Sequence, residues 1–66
     1  MIRRWGGQTW YNEYDIRRAF GISPETLMRW RISGSITMIS MHGDTYYEEQ
    51  SLRACIARHQ GGGGKL

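Results

Sequence analysis

The sequence predicts a small α+β domain that is mostly α: two helices joined by a short turn, then a β-hairpin, then a closing helix. Three observations predict it. Two helix-start signals, Asn12 with Asp15 and Ser23-Pro24, each open a run of helical apolar spacing that stops at a glycine, Gly21 or Gly34. The β-rich runs Ile36-Thr37-Met38-Ile39-Ser40-Met41 and Thr45-Tyr46-Tyr47 flank His42-Gly43-Asp44, which marks two short strands about a turn. Finally, the stretch from Glu49 to His59 places Leu52, Cys55, Ile56 and His59 on one stripe at helical period.

The first helix is expected from about Glu13 to Phe20, with Asn12 as its cap and Tyr11 stapled onto Ile16. Ile16, Ala19 and Phe20 share one of its faces, and Tyr14, Arg17 and Arg18 point the other way. The second helix follows Ser23, with Pro24 at the first helical position, where its missing N–H costs nothing, and runs to about Ile32. So few residues separate the two that they must cross steeply. In the last helix, Glu48 and Glu49 lie favourably near the positive N-terminal end.

Residues 1–10 are expected to form a flexible basic arm, 11–60 the folded domain, and 61–66 a disordered glycine-rich tail. Trp5 and Trp10 either cover the open side of the core or meet a partner.

The composition narrows the function. A chain of 66 residues holds one domain. Its single cysteine, Cys55, forms no internal disulfide, so aromatic and aliphatic side chains must supply the core, and a reducing, cytoplasmic setting is expected. No apolar run approaches the roughly 18 residues needed to cross a bilayer, so no membrane partner is expected. The net charge of +3 lies wholly in residues 1–34, which carry six arginines against three acids, whereas the remainder is balanced. Such asymmetry suits a polyanionic partner.

Neither an enzyme nor a cofactor is expected. His42 and His59 fall in a turn and near a helix end, with no nucleophile or carboxylate at a telling spacing. Cys55 and His59 make only two ligands, too few to close a metal site.

The second helix carries the binding candidates. With Leu27 and Trp30 facing inward, its opposite face presents Glu25, Met28, Arg29 and Ile32. Arginine bonds guanine O6 and N7 in two-pronged fashion, and glutamate accepts from cytosine N4. Arg17 and Arg18, on the outer face of the first helix, suit phosphates, as do Ser23, Thr26 and Arg31.

The stretch Ser23-Pro24-Glu25-Thr26-Leu27-Met28-Arg29-Trp30 resembles the recognition helix of the MerR-like winged helices and above all of the small phage excisionases. The resemblance runs from about Tyr11 to Arg58, through the hairpin and the closing helix with Leu52 and Ile56. It implies a winged helix-turn-helix in which Glu25, Arg29 and Met28 read bases, the hairpin acts as a wing on the backbone or the adjacent minor groove, and Arg17 and Arg18 hold phosphates. This wing departs from the family pattern: it carries His42, Gly43, Asp44 and Tyr46 instead of basic residues, and Asp44 repels phosphate. Arg3 and Arg4 of the arm are the compensating candidates.

The function the resemblance implies is that of an accessory protein on double-stranded DNA. It would bind adjacent attachment sites cooperatively, beside other copies of itself, and assist a phage integrase in excision. Transcription regulators and terminase DNA-binding subunits share the motif, and a protein-interaction module is a further alternative.

Overall fold

The computed structural model describes residues 2–64, with side chains through residue 59. The chain runs β1 (Arg3–Trp5), β2 (Gln8–Asn12), α1 (Glu13–Phe20), α2 (Pro24–Ser33), β3 (Met38–Met41), β4 (Asp44–Glu48) and α3 (Glu49–Gly64). The expected mostly α arrangement, a winged helix-turn-helix with two N-terminal helices, is therefore corrected. The order is β-β-α-α-β-β-α, and the four strands form one antiparallel sheet in the order β1-β2-β4-β3. Two pairings account for the difference. The first residues form a hairpin where an arm was expected, and β4 pairs with β2 as well as with β3, so the second hairpin joins the sheet instead of projecting as a wing.

Both hairpins turn on residue pairs with positive φ. Gly6 and Gly7 sit at 62° and 78°, and His42 and Gly43 at 51° and 84°. Positive φ at both central positions is what a two-residue turn needs to match the right-handed twist of the strands it joins.

The first two helices start and stop where the sequence indicates, whereas α3, expected to end near His59, continues to Gly64. The Asn12 side chain accepts a hydrogen bond from the Asp15 amide at 2.8 Å. Ser23 accepts one from the Thr26 amide at 3.2 Å, and its hydroxyl lies 3.1 Å from that of Thr26. Gly21 and Gly34 end α1 and α2 in the left-handed conformation. Glu48 caps α3: its buried carboxylate accepts from the amides of Gln50 and Ser51 at 2.8 and 2.9 Å, so the charge meets two donors and the positive helix end. Of the tail expected over 61–66, α3 takes in 61–64, whose side chains lie outside those described, and Lys65 and Leu66 lie outside the described residues altogether.

The core lies between one face of the sheet and the helices. Tyr11 and Tyr47, paired across β2 and β4, pack with Ile16, Leu27, Ile36, Leu52 and Cys55, all buried. Phe20, Ile22, Trp30 and Ile56 close its margin. Ala19, expected on the inner face of α1, is exposed. At the far end of the α3 stripe, His59 meets Trp30 edge-on with ring centres 6.1 Å apart.

The alternation of strand residues puts Trp10 and Tyr46 on the opposite face of the sheet, yet both are buried. Neighbouring strands cover them. Trp5 stacks at a tilt on Trp10 with centres 5.6 Å apart, and the Trp10 indole donates to the Trp5 carbonyl at 3.2 Å. Arg3 lies over the Tyr46 ring and donates to its hydroxyl at 3.2 Å. Trp10 is thus buried on the face of the sheet away from the core, and Trp5 remains half exposed above it.

Candidate nucleic-acid interface

Helix α2 has ten residues and so is about 15 Å long. Leu27 is buried beneath it and Trp30 is half-buried at the core margin. Its outer face presents Glu25, Met28, Arg29 and Ile32, all exposed; Ile32 retains 80% of its accessible surface and Met28 51%. The four residues that periodicity grouped are thus together on one face. Ser23 and Thr26 flank its start, where their hydroxyls are engaged in capping.

The structure adds one residue to this face. Met38, at the start of β3, joins Met28, Arg31 and Ile32 around a shallow groove of about 300 Å³. Sequence reasoning missed it because Met38 reaches α2 through the sheet and not through helix spacing. The signal was available in the strand alternation, which sets Met38 on the same side as Tyr47.

The arginines divide into tethered and untethered groups. No hydrogen bond or ion pair to another described residue holds the side chain of Arg17 or Arg29. Arg18 donates to the Tyr14 hydroxyl at 2.9 Å and lies over that ring, one turn away on α1. Arg31, one of the phosphate candidates, lies beside the Tyr47 hydroxyl, which donates to Glu13 at 3.2 Å.

The remaining candidates lie away from α2. Arg3 and Arg4 are on β1, the edge strand farthest from β3, and Arg4 donates to Thr9 at 3.1 Å. Tyr46, expected on the wing, is buried at 5% exposure with its hydroxyl held by Arg3, because alternation turns it to the opposite face of the sheet. His42 and Gly43 are exposed at the turn. Gly43 and Asp44 form a shallow pocket with Asn12, Glu13 and Tyr14, so acids stand on both sides of it, a poor setting for phosphate.

Burial pushes the hydroxyls of Tyr11 and Tyr47 above the usual tyrosine range, with Glu49 and Glu13 adding to the effect and Arg53 and Arg31 opposing it. Burial likewise pushes the Cys55 thiol up, partly offset by Arg58. All three groups belong to the core. Among the described residues no cluster of three or more His, Cys, Asp or Glu side chains could hold a metal, and no helix is long and apolar enough to cross a membrane.

Comparison of the chain with family models, with characterised proteins and with solved structures returns no match.

Proposed function

We infer that the chain is a cytoplasmic, sequence-specific DNA-binding protein that uses the outer face of α2. In this role it serves as an accessory factor of excisionase type, occupying attachment-site DNA and assisting a phage integrase. The observation that carries the reading is the joint exposure of Glu25, Met28, Arg29 and Ile32 on one face of a capped helix, with Arg29 held by no described neighbour. A helix of this size fits the major groove, which is about 12 Å wide, and Arg29 has the donor fork that guanine accepts. Arg17, on the adjoining helix, supplies a phosphate contact.

The apolar part of the same face favours a second reading. Met28, Ile32 and Met38 together suit a protein partner as well as thymine methyl groups. Selection from a random DNA pool separates the two. A DNA reader enriches a defined site, and Arg29→Ala relaxes the preference at one base pair within it. A protein-interaction module enriches nothing.

A further inference from the structure

The two edges of the sheet differ in how they are guarded. The Glu48 amide donates to the Thr37 carbonyl at 2.9 Å, which places Thr37 in a hydrogen-bonded position opposite β4. Bonded positions alternate along an antiparallel pair, so Ile39 and Met41 also turn their backbone groups toward β4. Met38 and Ser40 therefore turn their N–H and C=O groups outward, along the free edge. This edge carries no charge and no proline, the usual devices that keep an edge strand from pairing. On β1 the corresponding count leaves only Arg4 facing outward, between Arg3 and the turn. A second β1 would set Arg4 against Arg4, which is unfavourable.

We propose that β3 is a self-association edge: two copies of the chain pair β3 against β3 in antiparallel fashion about a twofold axis at Ile39. The geometry selects this register. Only residues with outward backbone groups can bond across the seam, so Met38 of one copy pairs with Ser40 of the second, and Ser40 with Met38. All four outward groups of each strand are then satisfied. Ile39 meets Ile39 of the second copy in the close, non-bonded position, on the face that carries Tyr46 and Trp10. On the helical face, Met38 of each copy lies at the seam, at the rim of the groove it shares with Met28 and Ile32. No paired residue is charged. Arg31, the cation that lines the groove, lies near the Tyr47 hydroxyl. The dimer does not rest on DNA binding.

Ile39→Cys tests the register directly. Residues facing each other in a non-bonded antiparallel pair have Cα atoms about 4.5 Å apart, within the range a disulfide spans. Under mild oxidation this variant forms a covalent dimer. Trp5→Cys, on the guarded edge, stays monomeric, and native Cys55 is too buried to compete. Cross-linking of Trp5→Cys as readily as Ile39→Cys overturns the proposal, as does no cross-linking of Ile39→Cys.

Ser40→Pro removes an N–H that points away from β4, so the internal ladder survives. Sedimentation equilibrium should show the wild-type mass rising from one chain to two at concentrations on the order of 100 μM, as befits a small contact. Ser40→Pro should weaken that association at least about tenfold while keeping the wild-type circular dichroism spectrum. A wild-type monomer up to about 1 mM, or an unchanged dimer in a folded Ser40→Pro, overturns the proposal; the former leaves the edge to an extended segment of a different protein.

Discussion

Replacing Tyr47 by phenylalanine removes one hydroxyl and leaves a fully buried ring in place against Tyr11. The lost hydrogen bond, to Glu13 at 3.2 Å, has a charged acceptor, for which about 1.5–3 kcal/mol is typical. Glu13 is exposed and rehydrates when the hydroxyl goes, so the net cost falls to about 1 kcal/mol. In a domain this small, that lowers Tm by roughly 4–8 °C. Tyr47→Ala, by contrast, opens a cavity costing about 3–5 kcal/mol, comparable to the whole stability of such a chain, and unfolds it.

The hydroxyls also set an alkaline limit. In the fold the neutral forms of Tyr11 and Tyr47 are favoured, so both titrate above their unfolded values. Their stabilisation is complete below about pH 10, where the unfolded tyrosine titrates, and is lost as pH rises toward the folded values. Cys55 acts in the same direction but from about pH 8.5, where an unfolded thiol titrates. Circular-dichroism melts of the wild type and of the double variant Tyr11→Phe/Tyr47→Phe isolate the tyrosines. Above about pH 10 the wild-type Tm should fall more steeply than that of the double variant. Parallel curves would refute the reasoning.

Three further outcomes are expected. Arg29→Ala should cost about 1–3 kcal/mol on the preferred DNA site and much less on random DNA, measured by fluorescence anisotropy; an equal loss on both would make Arg29 a phosphate contact only. Arg17→Ala should weaken all sequences alike and lower the slope of log affinity against log salt by about 0.9, and Arg18→Ala should do the same only if Tyr14 releases its side chain. Gly7→Ala, at φ +78° with open space around it, should cost about 1–2 kcal/mol of stability from conformational strain alone, whereas a flexible arm at that position would show no change in Tm.

The middle of the chain was legible because its signals are local. Asn12 and Ser23 cap, Gly21 and Gly34 stop, and Leu27 with Met28 and Ile32 divides α2 into an inner and an outer face within a few residues. The first hairpin was not, although Trp5-Gly6-Gly7-Gln8 contains its turn. Adjacent glycines serve a flexible arm and a positive-φ turn equally well, and β1 is too short to show alternation. What decides between them is the pairing of β2 with β4, Tyr11 opposite Tyr47, a contact between distant parts of the chain that no local pattern records.

The same pairing explains the candidate sites that moved. Once β4 is central, Tyr46 faces the side covered by Arg3, the second hairpin loses the freedom of a wing, and Arg3 and Arg4 are carried to the edge opposite β3. Only the α2 residues and Arg17 and Arg18 keep the surroundings that helical spacing assigned to them, because a helix face is fixed by the helix itself.

DNA binding by α2 is tested most directly by the affinity of the purified chain for a double-stranded site selected from a random pool, measured from about 50 to 200 mM salt, the range over which phosphate contacts separate. Phosphate contacts from Arg17, and from Arg18 once Tyr14 releases it, predict a log–log slope of about −0.9 to −1.8, together with tighter binding to the selected site than to scrambled DNA. No measurable binding at the lowest salt, or an affinity indifferent to both salt and sequence, would contradict it.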